Sequence, residues 1–202
     1  MARPERAGGG CIALALAALG CTPTSGAPAA DPAARAPGPE APWPERSVRR
    51  IEHCVSLGYE ICGNARDDNC NGVVEEGCGI PTGVVQFIIA WPSGKADVDL
   101  NVVDPTGELI EGGRASKSGL VKERDCPGRR QECRGQNVEN VYLEGTARPL
   151  RGTYRVRVSL ESLGGEPPPV WVTLSSRLGP SSHTFEMALL EISDERTLEL
   201  EL

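Results

Sequence analysis

Residues 82–202 show a repeating pattern in which apolar and polar side chains alternate over short runs. A period of two is typical of a β-strand with one buried and one solvated face. Glycine and proline separate the runs, and none of the runs has a convincing helical period. The alternating apolar positions are Val98, Leu100 and Val102; Tyr154, Val156, Val158 and Leu160; Val170, Val172 and Leu174; Phe185, Met187 and Leu189; and Leu198, Leu200 and Leu202.

Turn signals between these runs indicate how the strands connect. The D-P-T-G sequence at 104–107 is typical of a tight turn, and paired glycines at 112–113 and 164–165 mark two more. Several short strands joined in this way favour an antiparallel β-sandwich. We therefore predict an all-β fold with residues 82–202 as its sandwich domain.

The first 20 residues are typical of an export signal. Arg3 and Arg6 precede an apolar run over 12–19. This run is shorter than the about 20 residues of a membrane span and has the length of a signal-peptide core. The A-L-G-C sequence ending at Cys21 resembles the bacterial lipobox, which implies a lipoprotein signal peptide over 1–20 and a lipid anchor at Cys21. Ordinary secretion and retention in the cytoplasm are the alternatives.

Residues 22–48 are rich in alanine, proline and glycine and nearly free of large apolar side chains. Such a segment cannot bury enough surface to offset its loss of conformational entropy. We predict a disordered tether, so that 21–48 comprises the lipid anchor and a linker. Thr22, which directly follows the anchor, favours the outer membrane of the cell envelope.

The cysteine count supports an extracytoplasmic location. Of eight cysteines, Cys11 lies in the predicted signal and Cys21 takes the lipid, which leaves an even number for disulfides. The remaining six are Cys54, Cys62, Cys70, Cys78, Cys126 and Cys133. Cys126 and Cys133 are predicted to pair, whereas the other four allow three pairings within a small module over 49–80. A zinc site is the rival interpretation, disfavoured because no well-spaced histidine pair accompanies the cysteines.

The module contains a candidate calcium loop. Asp67, Asn69, Asn71 and Gly72 match the start of the D-x-[DN]-x-[DN]-G pattern, whose alternate oxygens converge on a hard cation. The predicted ligands are the side chains of Asp67, Asn69 and Asn71, the carbonyl of Val73, and Glu75 or Glu76.

The loop departs from an EF-hand at position 12, where Cys78 replaces the bidentate glutamate. We therefore expect weak calcium binding, with a Kd on the order of 10⁻⁴–10⁻³ M. A polar disulfide knot without an ion and a site for another metal are the alternatives.

Two segments resemble known families. The run E-x-C-G-N-x-x-D-D-N-C-N-G-x-x-E-E-G-C over 60–78 resembles the metal-binding motif of MopE-type proteins, with Ala65 in place of a usual glycine and Glu75 in place of a usual aspartate. That family name implies copper, but the segment has only His53 nearby and no methionine. Copper binds preferentially to imidazole and sulfur ligands, which this segment largely lacks, so calcium remains the favoured ion.

The second resemblance covers most of the sandwich. A-D-V-D-L-N-V-V-D-P-T-G at 96–107, Q-N-V-E-N-V-Y at 136–142 and R-G-T-Y-R-V-R-V at 151–158 resemble, in the right order, three segments of YfaP-like domains. Those domains are similar to pre-peptidase C-terminal β-sandwiches, which accompany secreted enzymes without being catalytic. The resemblance therefore implies a fold and a setting rather than a chemical activity.

Polar residues within these segments suggest a second cation site. Asp97 and Asp99 lie two residues apart and share one face of a strand, and Glu139 with Asn140 lies in the second matching segment. The alternative, which the sequence favours, is that these side chains are solvated or bond to nearby turns.

The net charge and the sequence motifs disfavour two classes of function, nucleic-acid binding and catalysis. The net charge of −7 disfavours nucleic acid, which is bound through lysine and arginine. No catalytic motif is present, and only His53 and His183 could act as histidine bases. We expect a non-catalytic envelope lipoprotein that contacts an envelope protein or glycan. The alternatives are a purely structural lipoprotein and a copper-binding or copper-scavenging surface protein.

Overall fold

The computed structural model describes residues 48–92, 94–112, 114–126, 136–143 and 146–202. Its strands, in chain order, are β1 (Val48–Ile51), β2 (Val85–Ala90), β3 (Asp97–Val103), β4 (Leu120–Arg124), β5 (Val138–Leu143), β6 (Thr153–Ser162), β7 (Val170–Leu178), β8 (Ser181–Leu189) and β9 (Glu195–Glu201). These described residues contain no helix, so none of them forms one able to cross a membrane. The predicted signal peptide, Cys21 and most of the tether lie outside them.

The strands form two antiparallel sheets. The larger sheet has six strands in the order β1-β8-β7-β2-β5-β4, and the smaller has three in the order β3-β6-β9. Each strand pair is antiparallel. The predicted all-β, antiparallel fold is confirmed.

The alternating apolar positions form the core. Val98, Leu100 and Val102 of β3 are fully buried, and they belong to one apolar cluster with alternate residues of β2, β6, β7 and β8. The rings of Phe87 and Tyr154, from strands of different sheets, lie 5.6 Å apart between their centroids. The period of two therefore places one face of every main strand in the core.

Strand β2 is buried on both faces. Phe87 and Ile89 belong to the main core, whereas Ile88 and Ala90 face the opposite side of the larger sheet. That outer face is covered by Ala65, Val74 and Ile80 of the cysteine-rich segment, in a second apolar cluster completed by Val138. Because both faces are covered, all six residues over 85–90 are buried, and all of them except Gln86 are apolar, without the alternation of the other strands.

Polar contacts also attach the cysteine-rich segment to the larger sheet. The hydroxyl of Ser175 on β7 donates to the carbonyl of Ala65 at 2.7 Å. Glu186 on β8 receives the guanidinium groups of both Arg49 and Arg66. All of the described residues belong to one compact unit. Within it, the cysteine-rich segment packs against the larger sheet of the sandwich.

The sequence pattern does not predict strand β1, and the predicted linker over 21–48 includes its first residue, Val48. Four residues with two central arginines carry no periodic signal, and pairing with β8 extends them at the edge of the larger sheet. The predicted turn at 104–107 is present, where the Oδ1 atom of Asp104 accepts from the N–H groups of Thr106 and Glu108 at 2.8 and 3.0 Å.

Candidate cation sites

Two disulfides frame the candidate calcium loop. Cys54 bonds Cys70 and Cys62 bonds Cys78, each across a sequence separation of 16. This settles which of the three pairings the four cysteines adopt. Cys126 is also disulfide-bonded and is buried, while Cys133, its predicted partner, lies outside the described residues.

The side chain of Asp67 folds residues 67–72 into a tight turn. Its Oδ1 atom accepts from the N–H of Asn71 at 3.0 Å, and its Oδ2 atom accepts from the N–H of Gly72 at 2.7 Å. Gly72 has a φ of 85°, which a residue without a Cβ adopts at little cost. The Oδ1 atom of Asn71 then accepts from the N–H of Val73 at 2.8 Å. The spacing of these residues therefore produces the wrapped backbone that the sequence predicted.

Three of the predicted ligands converge. The Nδ2 atoms of Asn69 and Asn71 both donate to the Oε1 atom of Glu76, at 2.5 Å each. The Oε2 atom of Glu76 is buried and has no hydrogen-bond partner within the part of the chain that the structure describes. The Oδ1 atoms of the two amides accept from the N–H groups of Asn71 and Val73, at 3.0 and 2.8 Å. The loop therefore brings together side chains that carry carboxylate and amide oxygens, which are the ligand types that a hard cation prefers.

Glu60 is a further carboxylate that the sequence did not single out. Its two oxygens accept from the N–H groups of Asn69 and Glu75 at 3.1 and 3.0 Å, which brings it against the loop. Burial raises the pKa of Glu60, and the carboxylates of Glu76 and Asp67 raise it further. Repulsion among three carboxylates is relieved by a bound cation. The available signal was its place as the first residue of the run over 60–78.

Glu75 has a different position from its neighbour Glu76. It is fully buried, and its two oxygens accept from the N–H groups of Gly63, Asn64 and Ala65 at 2.7 Å each. It also lies near the sulfurs of Cys62 and Cys78, but those sulfurs are bonded to each other and offer no thiolate. We therefore assign Glu75 to anchoring the backbone, and Glu76 to the cation loop.

The second group of predicted residues is only partly brought together. Asp99 and Glu139 lie close, whereas Asn140 faces the other side of β5 and donates to the carbonyl of Pro81 at 2.9 Å. Burial raises the pKa of Asp97 and that of Asp99. Asp125 joins Asp99 and Glu139, and it escaped sequence reasoning because it follows β4 with no distinctive spacing.

Lys122 is the ammonium group beside this second group. It lies 3.0 Å from Glu139 and 3.2 Å from Asp125. Burial lowers the pKa of Lys122, but the two carboxylates outweigh burial and raise it, so the lysine stays charged. Burial raises the pKa of Glu139 to about 9 despite Lys122. The positive charge of Lys122 therefore does not offset the effect of burial on the carboxyl group of Glu139.

Both histidines line one cleft. His53 and His183 border a cavity of about 370 Å³ together with Asp67 and Asp68. Arg50 contacts the Nδ1 atom of His183 at 2.9 Å, and burial together with Arg50 lowers the pKa of that imidazole. Sequence reasoning counted only His53 near the loop, because the strand that carries His183 is more than 100 residues away.

Comparison with known proteins gives no relative. No protein-family model, no curated protein and no solved structure matches the chain.

Proposed function

We propose that this chain is a non-catalytic module of the bacterial cell envelope, anchored by lipid at Cys21, whose loop over 67–76 binds calcium and braces a surface for a partner protein. The observation that supports this most is the convergence of Asn69 and Asn71 on the carboxylate of Glu76. Asp67 and Glu60 add negative charge at the same place. All of these groups except Glu60 lie within the loop over 67–76, which the two disulfides hold.

The ligand chemistry favours calcium over softer ions. Carboxylate and amide oxygens suit calcium, whereas copper prefers imidazole and sulfur. The four cysteines of this segment are in disulfides and offer no thiolates. With Cys78 at the position of the usual bidentate glutamate, we expect a Kd on the order of 10⁻⁴–10⁻³ M, which suits extracellular calcium.

Asp67→Asn is expected to abolish the calcium-induced rise in melting temperature. The amide cannot accept the N–H groups of Asn71 and Gly72 and also supply a negative ligand. We expect millimolar calcium to stabilise the wild-type chain and to leave the variant within about 1 °C of its value in chelator. Differential scanning calorimetry of the full chain, with and without calcium, measures this.

Asp68→Asn is the matched control, because this neighbour bonds instead to the N–H of Ile61 and to Asn64. It should keep the calcium response. Equal responses of the wild type and Asp67→Asn would show that calcium binds elsewhere or not at all.

An exposed apolar stripe supports a binding role over a purely structural one. Val55, Leu57, Tyr59 and Ile61 occupy alternate positions, and each exposes between 45% and 79% of its surface. Between them, the hydroxyl of Ser56 donates to the carbonyl of Asn69 at 2.9 Å, and so ties the stripe to the calcium loop. Four exposed apolar side chains grouped within residues 55–61 favour an interaction surface. Three of the four are aliphatic and cannot bond sugar hydroxyls, which favours a protein partner over a glycan.

Photo-crosslinking tests this surface. A photoreactive amino acid in place of Leu57 is expected to give a discrete protein adduct in intact cells. The same substitution at Ile192, which is 59% exposed on the sandwich, is the control and should give none. Mass spectrometry identifies the adduct. Absence of an adduct at position 57, or an adduct with lipid, contradicts a protein partner.

Copper binding is the second candidate, because His53 and His183 line the same cleft as Asp67. It predicts that copper displaces bound calcium and that His53→Ala with His183→Ala removes copper while leaving the calcium response. Equilibrium dialysis with both metals separates the two functions.

A further inference from the structure

A second group of carboxylates lies where the two sheets approach each other at one side of the sandwich. Strand β3 is an edge strand of the smaller sheet, and β4 is an edge strand of the larger one, with β5 beside it. Asp99 on β3, Asp125 after β4 and Glu139 on β5 each place one carboxylate oxygen within 4.8 Å of the others. Calcium holds its oxygens at 2.3–2.6 Å, so two ligands on opposite sides of the ion are about 5 Å apart. The spacing therefore fits a shared ion.

Glu139 gives independent evidence for a ligand. It is fully buried, and its Oε2 atom accepts from the N–H of Leu100 at 2.6 Å and contacts Lys122. Its Oε1 atom is also buried and accepts from no N–H or hydroxyl donor among the described residues, and the neighbouring side chain there is Asp125. A buried carboxylate oxygen without a donor is costly. The carboxyl group that carries this oxygen is the one that joins Asp99 and Asp125.

The charges around Glu139 are unbalanced. Lys122 bridges Glu139 and Asp125, and Asp97 adds to Asp99 on the same strand. Four carboxyl groups therefore lie around one ammonium group. A divalent cation would balance the negative charge of this group and would also bind the Oε1 atom of Glu139.

We propose that Asp99, Asp125 and Glu139 bind a divalent cation of the calcium type and that this ion joins β3 to β5. The bond from Leu100 to Glu139 already links the two sheets at this point, and the ion reinforces that link. The site goes beyond the proposed function and does not depend on the loop over 67–76.

Calorimetric titration with calcium chloride tests this site in a full chain that carries Asp67→Asn and Glu76→Gln, so that the first loop is disabled. We expect one calcium equivalent to remain. Adding Asp99→Asn should weaken its binding at least tenfold, and adding Asp125→Asn as well should abolish it. Asp97→Asn is the matched control, because it removes the same charge two residues away on the same strand and should leave the equivalent in place.

Each variant is first melted in chelator, and Asp99→Asn alone serves if the double substitution does not fold. Retention of the calcium equivalent after the substitutions at Asp99 and Asp125 overturns the proposal. So does the absence of calcium binding in the disabled-loop chain at millimolar calcium, which would mean that a proton rather than a metal balances Glu139. Neither result bears on the calcium response of the first loop, which Asp67→Asn measures separately.

Discussion

Glu75→Ala is expected to lower the free energy of unfolding by about 4 kcal/mol in the absence of calcium. The substitution leaves the N–H groups of Gly63, Asn64 and Ala65 without their acceptor, and these bonds are partly buried at Gly63 and Asn64 and buried at Ala65. Each unsatisfied buried donor costs about 1–3 kcal/mol, reduced where the backbone relaxes toward solvent. This is a large share of the about 5–15 kcal/mol that stabilises a typical domain.

The loss should spread from the loop to the sheet beneath it. Ala65 and Val74 are almost fully buried and cover Ile88 on the outer face of β2. When residues 63–65 lose their anchor, this cover loosens and water reaches β2. We expect faster hydrogen exchange at residues 63–65 and at the outer face of the larger sheet, measured together with urea unfolding followed by tryptophan fluorescence.

Glu76→Ala is the matched control, since it removes the same carboxyl group from the next residue. In chelator it should cost less than about 1 kcal/mol, because Glu76 accepts only from two flexible amides. In millimolar calcium the difference between the two variants should narrow, because Glu76→Ala also loses the calcium-induced stabilisation. Equal losses for the two variants in chelator would refute the separate roles assigned to these two glutamates.

Strands β4 and β5 lack a regular alternation of apolar and polar residues and were not predicted from it. Strands β3, β6, β7, β8 and β9 could be predicted because each one has a core face with a period of two. Val98, Leu100 and Val102 show this most clearly. Strand β1 could not be predicted, since its extended form depends on pairing with β8. The sequence also did not predict that the cysteine-rich segment packs on the outer face of the larger sheet. The apolar residues over 87–90 are consistent with burial on both faces of β2, but they do not indicate what covers the second face.

The candidate sites were predictable only where their residues are local in sequence. The turn made by Asp67, Asn71 and Gly72 follows from spacing alone. Glu75 and Glu76 could not be told apart, because their directions depend on the backbone of Glu75, which has a φ of 61°, and on the N–H groups over 63–65. Asp125 meets Glu139 only through the pairing of β4 with β5.

Removal of the Cys62–Cys78 disulfide, by serine at both positions, is expected to cost about 3 kcal/mol. Its sequence separation of 16 sets the chain entropy that the cross-link removes from the unfolded state. The Cys54–Cys70 disulfide has the same separation, so its removal should cost a similar amount. Urea unfolding in chelator measures both losses, and reduction of the wild-type chain should reproduce the larger part of their sum.

The two disulfides should differ in their effect on calcium. Cys62–Cys78 closes the segment that contains Asp67, Asn69, Asn71 and Glu76, so its removal should weaken calcium binding at least tenfold. Cys54–Cys70 ends within the loop and mainly ties down the apolar stripe, so its removal should change calcium affinity less and crosslinking from position 57 more. Alkylation of the protein isolated from its native cells gives the decisive check, because these cross-links form where thiols oxidise. If the four cysteines react with the alkylating agent before any reductant is added, neither the braced loop nor export of the chain can be maintained.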